Sequence, residues 1–257
     1  MKNILFLKKT ILLFLVMLFF SCVPKKEIIY YQNIDSINQK DRTNSYEIKI
    51  QPDDLLSIII SADNPEAVIP FNLGATEEDS SGKQSSASYL VDVNGFVDFP
   101  VIGKLKVSGL SRTETLKLFQ DKLAPYIKNP VVIIRILNFK ISIQGEVTES
   151  GIYPINTERV TLIEALTMAK DLTIYGKRDN ILIIREIDGV KSYNRVNITN
   201  ADFINSPFYY LAQNDVVYVE PNKNKVNGAG VGPSTGLIFS ITSILITLAT
   251  LVISTSK

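Results

Sequence analysis

Hydrophobic and polar positions alternate with a period of two and then shift to a period near 3.6, twice in succession between residues 46 and 221. An apolar segment stands at each end of the chain. In the first block YEIKI (46–50), the turn QPDD and LLSIII (55–60) predict a strand, a turn and a strand. Asp53 and Asp54 read as turn formers, because an Asp side chain just after Pro52 can cap backbone amides. YLVDV, then Asn94 and Gly95, then FVDFPVIG carry a short-range hairpin signal. Ser111 and Glu114 form a capping box opening a helix with Leu116, Phe119 and Leu123 on one side, and Pro125, Asn129 and Pro130 stop it. VVIIRIL (131–137) then predicts a strand buried in a sheet.

The second block repeats this grammar. FKISIQGEV is a strand ending near Gly145, GIYPI a turn and short strand, and Thr161 to Glu164 a second capping box. Leu162, Ala165, Leu166 and Ala169 give the following helix one apolar stripe. ILIIREI, a turn at Asp188 and Gly189, and VVYV after Asp215 complete a small α+β unit. QNDVVYV echoes PDDLLSI in shape, a hint of internal repetition. Gly95, Gly103, Gly109 and Gly145 read as turn residues meeting backbone needs. Residues 74–88, GATEEDSSGKQSSAS, hold too few apolar anchors to offset their ordering entropy and predict a mobile loop.

Lys2, Lys8 and Lys9 precede the apolar run from Ile11 to Phe20, which is too short to span a bilayer core and reads as a secretory signal peptide over 1–21. Ser21 before Cys22 resembles a bacterial lipobox, with Phe19 in place of the usual Leu; cleavage there would leave Cys22 as the lipidated first residue of a tether over 22–45. At the other end, beyond a linker over 222–236, the stretch 237–254 has twelve apolar and six hydroxyl residues. It rises about 27 Å as a helix and predicts a transmembrane helix matched to the thin apolar band of an outer membrane. Ser240, Ser243, Thr247, Thr250 and Ser254 fall within an arc of about 80° on it, either as a water-facing lining or as a helix-packing seam.

Composition narrows the chemistry. The 257 residues carry 27 Lys plus Arg against 26 Asp plus Glu, too little basic excess for nucleic acid as a partner. With no histidine and one cysteine, His-dependent triads and the usual zinc sites are excluded. No metal or cofactor is called for. A carboxylate glycosidase needs no histidine, but Glu77, Glu78 and Asp79 lie in the predicted loop and read as a solvated face rather than an acid/base pair.

YEIKIQPDDLLSI, YLVDVNGFVDFPVIGKLKVSGLSRTET and KNPVVIIRI together resemble the polysaccharide biosynthesis/export domain of Wza-like outer-membrane lipoproteins. ISIQGEVTESGIYPI followed by RVTLIEALTMAKDLTIYGKRDNILIIRE resembles the β-grasp SLBB module that follows it in that family. The resemblance implies an α+β protein of two small mixed α/β periplasmic domains, 46–138 and 139–221, with a C-terminal transmembrane helix. It makes Asp54, Gly95, Gly103, Gly145 and Asp215 structural motif residues, with Asp53 standing where the family's turn has Gly. The implied function is export of capsule or exopolysaccharide, without enzymatic activity, by a homo-oligomeric ring in the outer membrane. The implied partners are membrane lipid, the polysaccharide and an inner-membrane co-polymerase/tyrosine kinase. The alternative is a periplasmic adaptor or glycan-binding lipoprotein that scaffolds a synthesis complex without conducting polymer.

Overall fold

A computed structural model describes residues 25–37, 47–72, 88–187, 189–230 and 233–255. The expected signal peptide, Cys22 and residues 73–87 of the expected mobile loop, which include Glu77, Glu78 and Asp79, lie outside the described residues.

Two hydrophobic cores organise the chain. The first is built from β1 (Leu55–Ser61), β2 (Ser88–Leu90), β3 (Phe96–Phe99), β4 (Gly103–Lys106), α1 (Arg112–Leu123) and β5 (Val131–Ile136). β1 lies between β2 and β5, antiparallel to both, with Ile58 opposite Ile134. Period-two patterning buries Leu56, Ile58 and Ile60 against Phe99, Phe119 and Leu123. The capping box that starts α1 forms as expected: Ser111 Oγ accepts from the Glu114 amide and the Glu114 carboxylate accepts from the Ser111 amide.

Three local expectations change here. The Asn94–Gly95 turn forms, but its flanking strands part: β2 pairs with β1, and β3 pairs with β4. Residues 47–50 join no ladder beyond a bridge between Lys49 and Ser111, although Ile50 is buried. β5 is an edge strand whose pleat alternates between a covered and an open face of the sheet, so Val131 and Ile133 face outward while Val132 and Ile134 face the core.

The second core is built from β6 (Lys140–Gly145), β7 (Gly151–Pro154), β8 (Val160–Thr161), α2 (Leu162–Met168), β9 (Gly176–Ile187), β10 (Val190–Val196), β11 (Tyr210–Leu211) and β12 (Val216–Pro221). Five strands form one sheet in the order β10-β9-β12-β6-β7, with β12 and β6 parallel and the other pairs antiparallel. Leu162, Ala165 and Leu166 bury one face of α2 against Ile141, Ile143, Ile181, Ile183 and Val217, and the capping box at Thr161 and Glu164 opens the helix.

Part of the N-terminal tether is docked rather than free. The Gln32 amide donates to the Thr199 carbonyl at 2.8 Å, and Tyr31 stacks on Phe203 with centroids 5.5 Å apart. Asn33 Oδ1 accepts from the Ala201 amide at 2.7 Å.

After β12 the chain continues as α3 (Lys223–Ala229) and α4 (Pro233–Thr255). The helix expected over 237–254 forms within α4. Its membrane assignment does not stand: among the described residues no helix is long and apolar enough to cross a membrane. The apolar positions are interrupted every three or four residues by Ser or Thr. The observed class is therefore mixed α/β with several sheets, and no transmembrane helix is found among the described residues.

Candidate functional site

The two cores meet at a polar junction made by two turns of the same design. In the first, the Gln51 amide donates to Asp54 Oδ2 at 2.8 Å and Asp53 takes φ 68°. In the second, the Ala212 amide donates to Asp215 Oδ2 at 2.8 Å and Asn214 takes φ 62°. Each Asp caps an amide three residues back, each turn is closed by a backbone bond of 3.2 Å from the Asp amide, and each launches a core strand, β1 or β12. The echo between PDDLLSI and QNDVVYV is thus a repeated piece of geometry.

Asn138 and Gln213 bind the two turns together. Asn138 Oδ1 accepts from the Leu55 amide at 2.9 Å and its Nδ2 donates to the Asp53 carbonyl at 2.8 Å. Gln213 Nε2 donates to the Asn138 carbonyl at 2.9 Å, and its Oε1 accepts from the Lys140 amide at 2.8 Å. Neither residue was singled out from the sequence. An isolated amide side chain in a loop gives no sign of what it reaches across 75 or more positions.

The two carboxylates differ in how burial is compensated. Asp215 faces Arg185, whose Nη2 lies 2.7 Å from Oδ2 and whose Nε lies 3.0 Å from Oδ1. Burial pushes the Asp215 carboxyl above its ordinary range, with the guanidinium pulling against it. Asp54 is fully buried and its Oδ1 has no hydrogen-bond partner. Burial raises it from 3.8 to about 6, against weaker opposing contributions from the Gln51 amide and the Gln213 side chain. That value would suit a general acid, but a carboxyl with no exposed surface cannot meet a glycan, so Asp54 is structural.

Of the motif glycines, two are sterically required. A Cβ on Gly145, at φ 94°, would stand 2.1 Å from the Val219 carbonyl oxygen where β6 lies against β12. On Gly95, at φ 82°, it would stand 2.4 Å from Ser108 Cβ. Gly103 and Gly109 occupy open turns of positive φ. None of these residues points into a binding site.

A cleft of about 770 Å³ lies between the two cores, with Arg112, Arg135, Arg159, Glu47 and Glu158 among its walls. Arg112 pairs with Glu158 at 3.0 Å across it, and the Thr113 hydroxyl donates to Glu47 at 2.9 Å. The hydroxyl face of α4 lies apart from this region. Ser240 Oγ donates to the Gly236 carbonyl at 2.9 Å, Ser243 Oγ to Ser240 at 2.8 Å, and Thr247 Oγ1 to Ser243 at 2.8 Å. Thr250 Oγ1 is shared between Ile246 and Thr247. Ser254 falls in the last turn.

A first unit with a three-stranded and a two-stranded antiparallel sheet, a capped helix and a Pro-Asp-Asp turn defines a class that sequence comparison makes specific. Residues 42–137 match the family model of polysaccharide biosynthesis/export proteins, in agreement with the resemblance read from the sequence. The chain is 30% identical over 202 residues to the EPS I polysaccharide export outer membrane protein EpsA of Ralstonia nicotianae, an alignment covering 74% of this chain and 52% of that protein. It is 28% identical over 218 residues to the protein of the same name from Ralstonia solanacearum, covering 80% of this chain and 56% of the relative. The chain therefore spans about half the length of these curated relatives.

Proposed function

We propose that the protein is a polysaccharide export component of the outer membrane, held there by lipid on Cys22, with both units in the periplasm. The match across 42–137 to the export family carries this reading, and the names of the two relatives support it. In this reading, copies assemble into a ring around the polymer path, with the second unit serving as an SLBB module that builds the ring. An inner-membrane co-polymerase/tyrosine kinase supplies polymer and driving force.

The C-terminal helix is consistent with assembly, since α4 exposes Ile238, Phe239, Ile241, Leu245 and Leu248, which neighbouring copies would cover. A hydroxyl that donates its proton to its own helix still has lone pairs free. The Ser240, Ser243, Thr247, Thr250 and Ser254 face would thus accept hydrogen bonds from sugar hydroxyls, or pack closely against a neighbour, without strong retention of the polymer.

The test is a deletion strain complemented with the chain. Polymer accumulating in the periplasm and returning to the cell surface on complementation is the expected result. Normal surface polymer in the deletion strain overturns the reading. Loss of polymer synthesis itself would make the protein a scaffold of the synthesis complex.

A further inference from the structure

The N-terminal segment and the start of α3 are pinned to the same loop of the second unit, residues 168–176. On the N-terminal side, the Tyr30 hydroxyl donates to Asp171 Oδ1 at 2.7 Å and the Arg178 guanidinium lies 5.5 Å over the Tyr30 ring. Arg178 Nη1 in turn donates to the Gly176 carbonyl at 2.9 Å and the Thr173 carbonyl at 3.3 Å. The Thr173 hydroxyl donates to Glu146 at 2.6 Å, and Glu146 also meets Lys225 of α3 at 3.5 Å. On the C-terminal side, the Asn222 amide donates to the Tyr175 carbonyl at 2.7 Å, and the Lys225 ammonium lies 5.2 Å over the Tyr175 ring.

Around this junction stand several exposed apolar side chains. Ile174 is 58% exposed and Val226 56%, with Tyr175 and Met168 also exposed. Cys22 lies only three residues before Lys25, so the attachment point of a lipid on it stands no more than about 10 Å along the chain from the start of the docked segment.

We propose that this rim, with Ile174, Tyr175 and Val226 at its centre, seats in the headgroup layer of the bilayer that holds Cys22. The inference rests on the lipid-anchor reading of Cys22. Tyrosine suits that depth because its ring is apolar and its hydroxyl polar, and Ile174 beside it supplies apolar area to bury. Lys225 and Lys170 are already paired with Glu146 and Glu149, so apolar insertion rather than charge carries the contact. The docked N-terminal segment holds the lipid on the side of the molecule where this rim lies.

The chain contains no tryptophan, so a single Trp reports on its own position. The full acylated protein carrying Ile174→Trp is bound to phosphatidylethanolamine/phosphatidylglycerol vesicles whose acyl chains are brominated. The control is Tyr193→Trp, on exposed β10 opposite Ile184, eight residues along β9 from Gly176 and roughly 26 Å away. The expected result is at least about twofold stronger quenching at position 174 than at 193, with a blue-shifted emission, unchanged in high salt. Protein that floats with the vesicles but shows equal quenching at both positions overturns the proposal and leaves the lipid anchor standing. Failure to float overturns the anchor reading and the proposal with it.

Discussion

Asp54 and Asp215 occupy equivalent turns, yet one has a guanidinium against it and the other has an unpartnered oxygen. Between pH 3.8 and about 6 the folded chain keeps the Asp54 proton that the unfolded chain has released. Stability contributed by this group is therefore full at low pH and declines as pH rises toward 6. Urea denaturation at pH 4.5 and pH 7 is expected to show this decline, and Asp54→Asn to flatten it, with a gain on the order of 2 kcal/mol at pH 7. An unchanged slope in the variant would refute the assignment. Glu220 acts in the opposite sense: Arg195 and Lys177 lower it from 4.5 to about 2, so its contribution is lost as pH falls through that range. One residue earlier in the first turn, Asp53 takes a left-handed φ of 68°, a conformation that favours Gly. Asp53→Gly is expected to raise the unfolding free energy by roughly 0.5–1 kcal/mol, readable as a higher urea midpoint.

Among the elements, the pair β6 and β12 leaves least freedom, because Gly145 meets the Val219 carbonyl with no room for a side chain. Gly145→Ala is expected to cost about 3 kcal/mol or more in thermal or chemical unfolding, whereas Gly103→Ala, in open space, costs only its backbone strain. The docked N-terminal segment is held by the Tyr31 stack on Phe203 and a few hydrogen bonds, so it is the natural first element to open. Tyr31→Ala is expected to speed limited proteolysis within residues 25–37 several-fold while leaving the melting of the second core nearly unchanged. Equal protection in the variant would show that the stack contributes little. On α4, the hydroxyls already serve the helix backbone, so replacing Ser243 and Thr247 with Leu leaves helicity intact by circular dichroism. Reduced surface polymer in that double variant would mark the face as functional rather than merely tolerated.

For the molecule as a whole, Asn138 and Gln213 are polar links between the cores beside Ile136, which packs against both, and the exposed Arg112–Glu158 pair adds little to them. Asn138→Ala leaves the Leu55 amide and the Asp53 carbonyl without their partner, at a cost of about 1–3 kcal/mol. Calorimetry is expected to resolve two transitions where the parent shows closer coupling.

What the sequence alone determined was local or periodic. Both capping boxes, the alternation of β1, the apolar stripe of α2 and the turn residues depend on neighbours within four positions, and there the hydrophobic pattern and hydrogen-bonding chemistry suffice. The family resemblance was also legible, because its motifs are such local blocks. Tertiary structure decided which strands pair, since β2 chose β1 over β3 only once the sheet existed. It also decided that the apparent tether packs on the second core, that Asn138 and Gln213 bridge the two turns, and that the N-terminal segment and the start of α3 converge on loop 168–176. The hydrogen bonds Tyr30–Asp171, Asn33–Asp202, Asn138–Asp53 and Gln213–Asn138 join residues 75 to 169 positions apart, and their energies depend on burial and geometry that no local pattern encodes.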